Sequence, residues 1–147
     1  MSHDVEINNL RFFVLPNNTS GSVCIPLTLS PRPTTLACLT LRSDSECDTV
    51  FLTATVGWLA VTNGTCLDRV NVLFKIWRGS PVTGTLIFSA DDSGESGFDS
   101  RKVTSFTHVD NRPSRPHSYT LTAELPDAGS AATVIGPITF VAIEFER

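Results

Sequence analysis

The segment DTVFLTATVGWLAV, residues 48–61, limits what this chain can become more than any other stretch. Val50, Leu52, Ala54, Val56 and Trp58 fall on one side of an extended backbone, and Thr49, Thr53, Thr55 and Gly57 on the other. Phe51 breaks the rule by joining the polar side. Alternation of period two with β-branched and aromatic residues specifies a half-buried strand. A helix of the same residues would spread the apolar side chains over its whole circumference and bury none of them well.

The pattern recurs along the chain. Strands are predicted over residues 10–15, 22–29, 35–42, 69–78, 85–90, 102–110, 118–125 and 133–145, and residues 91–100 read as a polar loop. Pro26 marks the second strand as an edge or bulged one, and Asn63-Gly64 and residues 111–116 supply turns. Lys occurs only at positions 75 and 102 and Gln is absent, which removes the usual surface material of helices. About eight or nine antiparallel strands with frequent turns predict an all-β fold, a two-sheet sandwich of jelly-roll type. With 147 residues and no linker-like tract, residues 1–147 are expected to form one domain. Residues 1–34 either complete a sheet or act as an arm that reaches a neighbouring subunit.

Charge and cysteine usage narrow the partners. A formal net charge of −4 and isolated Arg residues offer no stripe for a polyanion, so nucleic acid is not expected. No run of about 18 apolar residues exists to span a membrane. The N-terminus has an early acid and a short apolar run at residues 12–16, unlike a secretory leader. The expectation is that a leader has been removed or that the protein reaches its destination without one. Cys24, Cys38, Cys47 and Cys66 form no C-x2-C pair, so no zinc site is expected, and three intramolecular pairings stay open. Cys38 lies in the apolar strand TLACLTL and reads as a buried thiol. Cys24, Cys47 and Cys66 are the cross-linking candidates, which implies an oxidising location.

Chemistry-bearing clusters are few. Asp91, Asp92 and Glu95 are weak calcium candidates without the register of a helix-loop-helix site, and a solvated loop is the simpler reading. Gly94-Glu95-Ser96-Gly97 is too short for a nucleophile elbow. His108 and Asp110 are expected on one exposed side of a strand, with no nucleophile tied to them. Tyr119 belongs with Leu121, Ala123 and Leu125 on a core face with its hydroxyl at the rim, and Trp58 belongs in the core. Asn17, Asn18 and Asn63 head N-x-[ST] sequons and read as turn residues. No catalytic residue, metal centre or cofactor is assigned, and an enzyme is not expected. Leu73 and Trp77 lie opposite Phe74 and Ile76, and an outward apolar patch there marks a subunit interface, joined by Phe51 if its strand is a neighbour.

The order VFLTATVGWLAV, VNVLFKIWRGSPVTGTLIFSADDSG, KVTSFTHVD, HSYTLTAE and IGPITFVAIEF resembles bacterial jelly-roll domains of the C1q/TNF-like type found on endospore surfaces. The resemblance covers about residues 35–147 and lies in strand order and the closing apolar strand. It implies a homotrimer, layer or fibre on the outside of a bacterial cell or spore, with other spore-surface proteins as further partners. It also implies a route to that surface without a signal peptide. The chain lacks the Gly-X-Y stalk of collagen-like spore glycoproteins. Two other readings compete: a carbohydrate- or receptor-binding module, and a viral capsid-type jelly roll.

Overall fold

A computed structural model describes residues 6–42, 49–61, 69–97, 99–111 and 117–145. Nine strands follow one another: β1 (Ile7–Val14), β2 (Ile25–Pro26), β3 (Thr34–Leu41), β4 (Thr49–Val61), β5 (Arg69–Arg78), β6 (Thr85–Glu95), β7 (Arg101–Asp110), β8 (His117–Glu124) and β9 (Ala131–Phe145). They form two antiparallel sheets. One has the order β1-β9-β4-β7 with the short β2 also on β9, and the other has the order β3-β8-β5-β6.

The pairing is nested. The β5–β6 hairpin lies innermost, β4 pairs β7, β3 pairs β8, and β1 pairs β9. A long hairpin rolled so that its successive pairs alternate between two sheets is the jelly roll, as the alternation pattern predicts. No described helix is long and apolar enough to cross a membrane.

The inward sides are those the alternation selects. Val50, Leu52, Ala54, Val56 and Trp58 of β4 meet Val70, Val72, Phe74 and Ile76 of β5 between the sheets, with Tyr119, Leu121, Ile138 and Phe140 alongside. Fully burying one such large apolar side chain contributes about 1.5–3 kcal/mol, so this layer is the main source of stability.

Two polar chains tie the sheets at their edge. Asp110 of β7 accepts from Arg78 Nε at 3.0 Å, Arg78 Nη2 at 2.6 Å and the Tyr119 hydroxyl at 2.7 Å. Trp58 Nε1 donates to Thr104 Oγ1 at 2.9 Å, and that hydroxyl donates to Asp92 Oδ2 at 2.6 Å. Both chains satisfy polar atoms that would otherwise be buried unpaired.

Several sequence expectations need correction. β6 runs on to Glu95, so the first half of the expected 91–100 loop is strand. His108 and Asp110 face inward across the sandwich. Asp110 is buried, and His108 packs on Phe88 with centroids 5.5 Å apart. Cys38 is exposed, because Ala37, Leu39 and Leu41 take the core side of β3 and alternation sends Cys38 outward. The N-terminal segment calls for no correction: within residues 1–34, β1 pairs with β9 of its own chain, as in the sheet-completing reading.

Candidate assembly surface

The outer face of the five-stranded sheet carries the unusual feature of this molecule. Strand register lines up its side chains in rows: Leu10, Ile143, Phe51 and Val109, then Phe12, Val141, Thr53 and Thr107, then Val14, Thr139, Thr55 and Ser105. Ile7 and Phe145 extend the face at one end. No side chain in these three rows is charged. Phe12 is 64% exposed, Ile7 59% and Leu10 48%, with Val14 and Val109 close behind. Phe51, Val141, Ile143 and Phe145 are half-buried between them. The exposed apolar part comes to roughly 500–700 Å², against about 800 Å² that each partner contributes to a standard protein interface.

The face ends where β9 bulges. Between Val56 and Trp58 of β4 the register of β9 jumps from Ile138 to Val134, so that residues 135–137 arch over Gly57. A Cβ on Gly57 would lie 2.0 Å from the Gly136 carbonyl oxygen, which explains the glycine. Asn18 holds the arch from outside. Its side-chain nitrogen donates to Thr139 Oγ1 at 3.0 Å, and its oxygen accepts from the Ile138 N–H at 2.8 Å. The sequence marked Asn18 only as a turn residue, because its partners lie some 120 positions away.

The three expected interface residues do not form one patch. Phe51 lies on the five-stranded sheet, whereas Leu73 and Trp77 lie on the outer face of the four-stranded one, so β4 and β5 are not neighbours. Trp77 is also closed off at 8% exposure. Its indole N–H donates to Thr122 Oγ1 at 2.9 Å, and Lys75 Nζ sits 5.5 Å from its ring centroid. Opposite the step from Ile76 to Trp77, β6 carries one extra residue, Ile87. Nearby, Lys75 pairs with the buried Glu124 at 2.6 Å, and Ser30 donates to the other carboxylate oxygen. Sequence reasoning passed over Leu10, Phe12, Val141 and Ile143 as interface residues. The signal was available as apolar side chains on both sides of β1 and β9.

The remaining candidates separate as well. Asp91 and Asp92 are consecutive in a strand and project to opposite sides, and Asp92 is occupied by Thr104 and the Ser93 N–H. Among the described residues no three His, Cys, Asp or Glu side chains converge as a metal site, so Asp91, Asp92 and Glu95 do not act together. Cys24 is an exposed free thiol, and Cys47 and Cys66 lie outside the described residues. Burial, followed by its hydrogen bond to Asp110, pushes the Tyr119 phenol far above the ordinary tyrosine range. The hydrogen bond to Asp110 likewise raises Arg78.

No protein-family description matches the chain. No curated protein matches it either. Its backbone is similar to part of dimeric latent PorU from Porphyromonas gingivalis, with a TM-score of 0.54 and 16% identity over 97% of this chain. That match takes in 13% of the PorU chain. The structure of infectious bursal virus-derived T=1 particles matches at a TM-score of 0.45 and 13% identity, covering 94% of this chain and 36% of that one. A carbohydrate-binding module of the CBM4 type matches at 0.38 and 11% identity over 97% of this chain and 78% of its own. At such identities the likeness concerns the fold alone.

Proposed function

We propose that this chain is a non-enzymatic structural subunit that associates with copies of itself through the outer face of its five-stranded sheet. The observation that carries this reading is the uncharged apolar run from Leu10 and Phe12 on β1 through Ile143, Val141 and Phe51 to Val109 on β7. A monomer that kept this area in water would forgo burial worth about 25 cal/mol per Å². A face without charge also suits another uncharged face, because any charged partner group would lose its hydration there without gaining a counter-charge. The non-enzymatic part is supported by how the titratable groups are used. Asp110 serves Arg78 and Tyr119, and His108 packs on an aromatic ring. The setting we propose, the outside of a bacterial cell or spore, rests on the resemblance in strand order.

Sedimentation velocity on the intact chain tests the assembly. Phe12→Asp places a carboxylate on a side chain already mostly in water, so the fold is kept and the sedimenting species becomes smaller than that of the unmodified chain. An unmodified chain that sediments as a monomer at every concentration would refute the proposal, as would a Phe12→Asp variant that associates normally. Antibody labelling of intact spores tests the setting.

A further inference from the structure

The edge strand β7 is built unlike the three other sheet edges. β1 has a register shift between Ile7 and Asn9, β3 has one between Thr35 and Ala37, and β6 has one opposite the step from Ile76 to Trp77. Bulges of this kind twist an edge and spoil it as a template for another strand. β7 keeps unbroken register with β4 from Arg101 to Asp110, and RKVTSFTHVD contains neither Pro nor Gly. Among the described residues no strand pairs with its far side.

The direction of its backbone groups follows from one hydrogen bond. Ala60 N–H donates to the Ser100 carbonyl at 2.7 Å, just past the last register pair of Leu59 with Arg101. Antiparallel ladders alternate, so the even-numbered residues of β7 bond to β4. Val103, Ser105, Thr107 and Val109 then aim their N–H and C=O groups away from the sheet. Their side chains are also the ones on the uncharged outer face.

We infer that β7 pairs antiparallel with β7 of a second copy, two-fold about Phe106, so that two five-stranded sheets run on as one. In this register Val103 lies opposite the second copy's Val109, Ser105 opposite Thr107, and Lys102 opposite Asp110. Each match occurs twice by symmetry; Lys102 and Asp110 keep their own partners, since Lys102 bonds to Asp99 and the buried Asp110 bonds to Arg78 and Tyr119. Shifting the axis to Ser105 would set Arg101 against Val109 and Val103 against Thr107, losing the apolar match. This self-complementarity selects a second copy over a foreign strand. The contact uses backbone groups of one edge and does not depend on the face described above. Together, an edge contact and a face contact would extend assembly beyond a dimer.

Residue-resolved amide exchange on the intact chain tests this, at concentrations below and above association. The expected result is parity-specific: amides of Val103, Ser105, Thr107 and Val109 slow by about tenfold or more on association, whereas those of Lys102, Thr104 and Phe106 are protected throughout. Thr107→Pro removes an outward donor and spares the ladder to β4, since proline suits an edge position whose N–H faces solvent. It should abolish the slowing at the other three residues while the circular dichroism stays native. Phe12→Asp should leave the slowing in place, which separates this contact from the face contact. Odd-numbered amides that exchange equally fast in the dilute and the associated unmodified chain would overturn the inference, and that reading needs no variant to fold.

Discussion

Adding one methyl group at Gly57 should cost this protein more than most core truncations. The Cβ of Gly57→Ala would stand 2.0 Å from the Gly136 carbonyl oxygen, 2.5 Å from its carbon and 2.8 Å from Pro137 Cδ. Ordinary carbon–oxygen approach begins near about 3.3 Å, so the β9 arch would have to retreat by more than about 1 Å. It has nowhere to go. A Cβ on Gly136 would itself lie 2.7 Å from the Thr19 carbonyl oxygen and 2.9 Å from Ser22 Oγ, so the 19–22 loop already presses on the arch from outside. Retreat would also disturb the Gly21 N–H to Ile135 carbonyl bond of 2.9 Å and the Asn18 clip on Ile138. Overpacking costs about 1–3 kcal/mol and each disturbed hydrogen bond about 1 kcal/mol, which gives about 3–5 kcal/mol in all. For a chain of this size that is a fall in Tm of roughly 10 °C. Urea unfolding followed by tryptophan fluorescence measures it directly. Gly21→Ala is the matched control. Its φ of +85° disfavours a side chain, but nothing lies within 4 Å, so it should cost only about 1–2 kcal/mol. If Gly57→Ala lost less than the control, the three-layer contact of β4, β9 and the 19–22 loop would be wrong.

Two further outcomes test other parts of the molecule. Tyr119 is the single tyrosine of the chain, and its folded pKa lies above the unfolded value near 10. Its contribution to stability is therefore complete below about pH 10 and falls as the pH rises beyond that, because only the unfolded chain ionises readily. Absorbance at 295 nm should show tyrosinate appearing together with loss of native circular dichroism, and a smooth ionisation in the folded protein would contradict the burial of the phenol. Trp77→Ala should destabilise the fold by about 2–4 kcal/mol in urea unfolding yet leave the sedimenting species unchanged, since the indole is spent on Thr122 and the sheet surface. Loss of association with an intact fold would instead return Trp77 to an interface.

Strand residues were legible because alternation is a local property. The inward rows of β4, β5 and β8 follow from period two alone, and Trp58 and Tyr119 sit where that pattern puts them. Local pattern fails where registry or chain ends intervene. Asp91, Asp92 and Glu95 look like loop residues by composition, but pairing with β5 holds them in a strand. Trp77 reads as outward, and is, but Thr122 and Lys75 occupy it there. His108 and Asp110 read as a surface pair because nothing near them in sequence announces Arg78 or Tyr119 across the sandwich.

The run at residues 48–61 therefore settles the class of fold and the core side of each strand, since side-chain direction along an extended backbone needs no partner. What lies on the other side of each strand is a matter of which strands are neighbours, and only the three-dimensional arrangement decides that. Phe51 is one exception on one strand until β9 brings Ile143 beside it and β1 brings Leu10 beyond. Leu73 and Trp77, which look like its companions, are carried to the opposite sheet by the nested roll of the chain. A row of side chains across a sheet joins residues more than a hundred positions apart, and no local period encodes that.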